Sequence, residues 1–193
     1  MKQFVESTHF LQTVETETKK NSDAAANLAG AISEAQLSWT SAPDSWSVAQ
    51  CLDHLATTSR AFEPYLIAAI KRGRDKWPSQ SPVGYRPSMV GGWLIKQVIP
   101  EATRKVPSPK VFRPSQSPLI ENVLQKFLQQ QEAFLQLVRE AEGLDYNKTR
   151  LRSPVTPLMR YSLGDAFVVT VVHGWRHLAQ ARRMIETPGF PVQ

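Results

Sequence analysis

The prolines of this 193-residue chain separate the regions that can form long helices from one that cannot. Eight of the fourteen prolines lie between Pro78 and Pro118. Because proline lacks a backbone N–H and clashes with the preceding turn, no long helix is expected to run through this segment. A proline-rich stretch of this length is unusual as a plain loop, so we interpret it as a functional crossover or lid. One short helix is predicted inside it, over residues 88–98.

On either side of this segment, apolar residues recur at the three- and four-residue spacing of an α-helix. The first predicted helix spans residues 3 to about 32. The second begins at Ser47, where Gln50 three residues later completes a capping box, and it runs to Gly73. Pro64 lies inside it and removes one backbone donor, which predicts a kink.

Two further helices are predicted after the proline-rich segment. The third, over 117–143, has Ser117 as its cap and a proline in its first turn. The fourth, over 162–185, has Ser162 as its cap and an acid three residues later, where it suits the helix dipole. Four helices with one apolar face each predict an all-α fold, a four-helix bundle with a long Pro-rich crossover between helices 2 and 3. The length fits a single domain over residues 1–193.

The net charge of +6 is concentrated in one part of the chain. Ten Lys or Arg and only two acids lie between Lys71 and Arg113, so this segment carries +8 and the remainder −2. Such a segment can face an anionic small molecule or nucleic acid, or it can be a solvated loop. It matches no nucleic-acid-binding motif, so we rank a nucleic-acid partner last.

No apolar run approaches the ~20 residues that a membrane span requires, and the N-terminus shows no signal peptide. The single cysteine, Cys51, agrees with a reducing compartment. We therefore expect a bacterial-type cytoplasmic protein without a membrane partner.

Three of the four histidines fall on predicted helices 2 and 4. His173 and His177 are four residues apart, so they lie one turn apart on one helix face and can both reach one cation. His54 on helix 2 is a candidate third ligand, which would leave one or two coordination positions open. The spacing alone also fits a surface histidine pair and a buried core histidine.

The sequence around these histidines resembles a known family. Helix 2 opens with Ser-Trp-Ser-Val-Ala-Gln-Cys-Leu-Asp-His-Leu over residues 45–55, and helix 4 contains His-Gly-Trp-Arg-His-Leu-Ala-Gln over residues 173–180. Together with Val-Phe-Arg-Pro at residues 111–114 and the Pro-rich crossover, these segments resemble the DinB-like superfamily. The resemblance extends from about Ile32 to Met184.

The resemblance implies a four-helix bundle, often a homodimer, that binds zinc, nickel or a similar divalent ion through His54, His173 and His177. Characterised relatives include transferases and isomerases that use low-molecular-weight thiols such as bacillithiol or mycothiol. A metal-dependent thiol S-transferase is therefore our first functional hypothesis, with a thiol or another small molecule as partner. The alternatives are a non-catalytic metal-binding stress-response module and a metal-dependent hydrolase, although no general base is obvious near the histidines.

Gln180 is the candidate cofactor-binding residue outside the triad. It lies seven residues after His173, so it continues the histidine face and could orient a metal-bound water or a substrate. It could equally be an ordinary amide at the edge of the bundle. The catalytic residues are not predicted.

Overall fold

The structure is a computed structural model that describes residues 2–7, 9–81, 83–101, 108–115, 120–156 and 158–191. Its elements are, in chain order, α1 (Lys2–Val5), α2 (Phe10–Gly30), α3 (Glu34–Ser38), α4 (Val48–Lys76), α5 (Met89–Val98), a 3-10 helix (Lys110–Phe112), α6 (Ile120–Glu140), β1 (Arg150–Arg152), β2 (Arg160–Ser162) and α7 (Leu163–Ile185). No helix of the described residues is both long enough and apolar enough to span a bilayer.

The four long helices form a bundle. Helix α4 packs against α6 and α7, and α2 packs against the same two helices, so α2 and α4 occupy opposite corners. The apolar faces meet in two clusters of buried side chains, one around Phe167 and the other around Leu52. The predicted all-α bundle is thus confirmed.

Capping boxes set the starts of two bundle helices where the sequence predicts them. The Ser47 hydroxyl accepts a hydrogen bond from the backbone N–H of Gln50 (3.1 Å), and the Gln50 side chain accepts one from the N–H of Ser47 (3.0 Å). Ser162 and Asp165 make the same reciprocal pair at the start of α7. Each box satisfies two backbone donors that the first turn of a helix leaves without partners.

The prediction of one helix from residue 3 to about 32 is wrong at its N-terminal end. The structure divides it into α1, which ends at Val5, and α2, which begins at Phe10. The hydroxyl of Ser7 accepts a hydrogen bond from the backbone N–H of His9 (3.1 Å) and bonds to the hydroxyl of Thr13 (2.7 Å). Side-chain bonds of this kind give the backbone an alternative to the helix. A short helix that the sequence did not predict, α3, follows with its own capping box at Ser33.

The predicted start of the third helix, at Ser117 and Pro118, lies outside the described residues. The described part of this helix, α6, begins at Ile120 and ends at Glu140, close to the predicted end. Gly143 has a φ of +75°, a left-handed conformation that favours glycine and follows many helix ends.

The connection between α4 and α6 contains the short helix predicted at residues 88–98. It is α5, capped by Ser88 and packed on α7, while the 3-10 helix packs on α4. The sequence did not predict the small hairpin of β1 and β2, which pair antiparallel with Leu151 opposite Tyr161. Strands of three residues are too short to show a period-two pattern.

Candidate metal centre

Helices α4 and α7 bring His54, His173 and His177 together. The Nε2 atom of His173 lies 3.2 Å from Nε2 of His54 and 3.1 Å from Nε2 of His177. One ring nitrogen from each residue lies within 4.8 Å of those of the other two. His54 and His177 are buried and His173 is partly exposed. The structure therefore brings together the three histidines that the sequence singled out.

The opposite nitrogens of two of these rings have acceptor partners. Nδ1 of His54 lies 2.5 Å from the backbone carbonyl oxygen of Phe112, and Nδ1 of His177 lies 3.0 Å from Oε1 of Gln180. Carbonyl and amide oxygens only accept hydrogen bonds, so each Nδ1 carries the proton. In the neutral rings Nε2 then holds a lone pair that faces the centre of the triad.

This arrangement fits a cation better than it fits a hydrogen-bond network. A proton on Nε2 of His173 can satisfy one of its two neighbours, whereas a cation satisfies all three nitrogens. Three imidazole nitrogens at about 2.0–2.1 Å from a tetrahedral ion lie about 3.3–3.4 Å from one another. The observed separations of 3.1 and 3.2 Å are close to that value.

Burial keeps these imidazoles neutral. It lowers the pKa of His177 to about 3, helped by the nearby ring of His54 and opposed by the hydrogen bond to Gln180. Burial likewise lowers the pKa of His54, and it lowers the pKa of His173 well below the usual value with help from both neighbouring rings. Neutral imidazole is the form that binds metal ions.

Two contacts of the triad were not predicted from the sequence. The Trp46 ring lies 4.7 Å from the His54 ring and 5.5 Å from the His177 ring, measured between centroids. The second is the carbonyl of Phe112, which comes from the 3-10 helix of the crossover. Both residues lie in segments that carry the family resemblance, but a backbone carbonyl has no side-chain signal in a sequence.

Three residues close in sequence to the triad, Cys51, Asp53 and Arg176, have contacts or surroundings of their own. Asp53 accepts hydrogen bonds from the backbone N–H (2.8 Å) and hydroxyl (3.1 Å) of Ser115, while Arg176 donates to the carbonyl of Ile99 (2.9 Å). Cys51 is buried, and burial raises the pKa of its thiol to about 12. Such a thiol packs and does not act as a nucleophile.

A cavity of about 20 Å³ borders the triad between α4, α6 and α7. It has room for about one water molecule. Its lining includes the ring of His173 and the residue Thr58, whose buried hydroxyl has no hydrogen-bond partner among the described residues. The lining contains no carboxylate and no amine among the described residues: Leu55, Thr58, Ser59, Phe62, Gln131, Val169, Thr170, His173 and Gly174.

Helices α4 and α7 of this bundle direct three imidazoles at one point. The protein is therefore a helical bundle that is able to hold a metal ion within its core. The chain belongs to the DinB superfamily, whose family model matches residues 17–181. This match includes all three histidines and Gln180. No curated protein and no solved structure matches the chain.

Proposed function

We propose that this protein binds a divalent transition-metal ion through His54, His173 and His177 and uses it to transfer a low-molecular-weight thiol. The observation that carries the metal proposal is the convergence of three Nε2 atoms. In His54 and His177, a hydrogen bond at Nδ1 fixes the orientation of the ring. Three protein ligands leave a coordination position for a substrate, as in catalytic metal sites.

Residues around the triad hold its rings in position. The carbonyl of Phe112 and the amide oxygen of Gln180 hold the protons on Nδ1 of His54 and His177, which fixes the tautomer and orientation of each ring. Trp46 covers the triad on one side. A bound divalent ion supplies Lewis acidity, which favours the thiolate form of a thiol at neutral pH.

The cavity lining supports a thiol reaction over hydrolysis. A hydrolase needs a group that accepts a proton from water. Apart from the ring of His173, whose Nε2 belongs to the triad, the described lining offers only hydroxyl and amide groups. A thiol ionises more easily than water, so it needs a weaker base.

Basic residues near the site support a thiol that carries carboxylates. Lys110 is the first residue of the short helix whose Phe112 carbonyl contacts His54, and Arg113 directly follows this helix. The segment they belong to therefore reaches the triad, and its cations can hold the carboxylates of a peptide-like thiol.

Zinc and nickel are the ions we propose, because both accept imidazole ligands. Elemental analysis of protein purified without metal-affinity resin tests the site. We expect about one ion per chain in the wild type and none in His54→Ala. The matched control is His9→Ala, which removes an exposed histidine outside the triad and should retain the ion. A metal-free wild type after incubation with zinc and nickel would overturn the proposal.

A thiol-consumption assay separates the enzyme from its main alternative, a non-catalytic metal-binding module. The alternative is favoured by the size of the cavity, which has room for about one water molecule. We expect metal-dependent consumption of bacillithiol, mycothiol or glutathione with an electrophile panel, lost in His173→Ala. Full metal loading without any thiol consumption would favour the module.

Homodimerisation stays a prediction. Sedimentation equilibrium of the full chain tests it, with twice the monomer mass of 21.7 kDa expected.

A further inference from the structure

Large apolar side chains project into solvent from α5 and from the loop between β1 and β2. Met89 is 93% exposed, Trp93 is 54% exposed and Leu158 is 94% exposed. Met89 and Trp93 are four residues apart, so they lie on one face of α5, opposite the buried Ile95. Exposed apolar groups that share one face, as Met89 and Trp93 do, mark an interaction site more often than single exposed residues do.

The same two regions carry cations and no acids. The sequence has no Asp or Glu between Asp75 and Glu101, and none between Asp145 and Asp165. These two segments contain seven basic residues: Lys76, Arg86, Lys96, Lys148, Arg150, Arg152 and Arg160. One of them, Lys148, forms an ion pair with Asp145 (3.4 Å), which lies just outside its segment.

The fold joins the two segments. The side chain of Asn147 donates to the carbonyl of Gly84 (2.8 Å) and accepts from the backbone N–H of Arg86 (2.9 Å). Helix α5 also contacts β2. We call the outward side of α5 together with the β1–β2 hairpin the basic apolar face.

The hairpin places its arginines on the exposed side. Leu151 and Tyr161 are buried, whereas the arginines beside them, Arg150, Arg152 and Arg160, are exposed. Arg152 lies directly opposite Arg160 in the register. Like charges at opposite positions destabilise a strand pair, and neither guanidinium forms an ion pair within the described residues. An anion from another molecule, placed between Arg152 and Arg160, would offset this cost.

We propose that the basic apolar face docks on an anionic membrane surface. Methionine, tryptophan and leucine side chains enter the interfacial region of a bilayer, while arginine and lysine contact the anionic headgroups. A second copy of the chain fits this face poorly, because a two-fold contact would place the same cations against each other. Nucleic acid would use the arginines but not the exposed Met89 and Leu158.

This proposal departs from the expectation of no membrane partner. That expectation rested on the lack of an apolar run long enough to span a bilayer, which concerns spanning and not surface docking. The surface is also separate from the proposed metal centre, so either proposal can fail without the other.

Co-sedimentation of the full chain with vesicles tests the docking. We expect binding to vesicles of phosphatidylcholine with about one third phosphatidylglycerol, and little binding to phosphatidylcholine alone. The binding should weaken as salt is raised. We expect the double variant Arg152→Gln/Arg160→Gln to lose about twenty-five-fold in the partition coefficient, at about fivefold per charge. Met89→Ser/Leu158→Ser should lose about tenfold.

Two control variants make these losses specific. Arg152→Lys/Arg160→Lys keeps the charge and should retain most of the binding. Arg60→Gln/Ile67→Ser changes an exposed cation and a half-exposed apolar residue on α4, outside the face, and should bind as the wild type does.

Three results would overturn the proposal. One is equal binding of the wild type to neutral and anionic vesicles. Another is an equal loss of binding in the Arg60→Gln/Ile67→Ser control. The third is binding to random duplex DNA, abolished in Arg152→Gln/Arg160→Gln, without binding to vesicles.

Discussion

Helix α7 carries two buried polar clusters that differ in how their hydrogen bonds are satisfied. At its first turn, both oxygens of Asp165 accept hydrogen bonds: Oδ1 from the hydroxyl of Tyr85 and the N–H of Ser88, Oδ2 from the hydroxyl of Ser88 and the N–H of Ser162. The distances are 2.7–3.2 Å. Further along the helix, His173 and His177 meet His54 of α4, and the Nε2 atoms of the three rings converge. At most one proton can lie between any two of these nitrogens.

The difference separates a structural cluster from a binding site. The bonds of Asp165 join the N-terminus of α5 to that of α7, and each oxygen already has two donors. Buried polar groups are normally satisfied in this way. In the triad a proton on Nε2 of His173 can satisfy only one of its two neighbours, so at least one Nε2 lone pair needs a ligand from outside the chain. We therefore expect substitutions at Asp165 to change stability and substitutions near the triad to change metal binding.

The largest expected effect is that of Asp165→Ala. It removes the acceptor of four hydrogen bonds and leaves buried donors without partners, so we expect the free energy of unfolding to fall by about 3 kcal/mol or more. Chemical denaturation measures this loss. Asp75→Ala removes an exposed carboxyl group from α4 and should change the free energy by less than about 0.5 kcal/mol. A loss in Asp165→Ala no larger than in this control would show that the cluster is not structural.

The next largest expected change in the free energy of unfolding comes from substitution of two neighbouring glycines of α5. A Cβ at Gly91 would lie 2.0 Å from Cγ of Asp165, whereas the nearest atom to a Cβ at Gly92, the Cβ of Pro87, is 3.7 Å away. We expect Gly91→Ala to lower the free energy of unfolding by about 1–3 kcal/mol through overpacking. Gly92→Ala should raise it by up to about 1 kcal/mol, because alanine favours the helix. Equal effects of the two substitutions in a denaturation experiment would contradict the close approach of α5 to Asp165.

A smaller effect is expected at Gln180, where the structure places the amide against Nδ1 of His177. Gln180→Leu removes this acceptor, so we expect metal affinity to fall about 10–100-fold. Isothermal titration with zinc measures the change, and Gln125→Leu, an exposed glutamine on α6, is the matched control. The stability of the metal-free protein should change little. An unchanged zinc affinity would show that Gln180 is an ordinary amide at the edge of the bundle. Its predicted role in orienting a metal-bound water or a substrate is not tested by this experiment and stays a prediction.

The sequence predicted several parts of this fold that depend on local chemistry, although not α3 with its capping box at Ser33. The capping box at Ser47, the cap at Ser162 and the short helix after Ser88 depend on neighbouring residues, and all three are confirmed. The break near Ser7 and the three-residue strands depend on single hydrogen bonds and on tertiary pairing, which leave no periodic pattern.

The candidate site divides in the same way. The spacing of His173 and His177 predicts two rings on one face. The place of His54 on helix 2 made it a candidate third ligand, and the family resemblance then supported that role. The Phe112 carbonyl could not be predicted as a contact, because every residue has such a group. The position of Trp46 against two histidine rings depends on how α4 and α7 pack, which local sequence patterns do not show.

X-ray absorption at the metal edge of the zinc- or nickel-loaded protein tests the central claim most directly. The account predicts three imidazole nitrogens in the first coordination shell, at about 2.0–2.1 Å for zinc, and the loss of this shell in His173→Ala. A shell of oxygen ligands alone, or an imidazole shell that persists in His173→Ala, would contradict it.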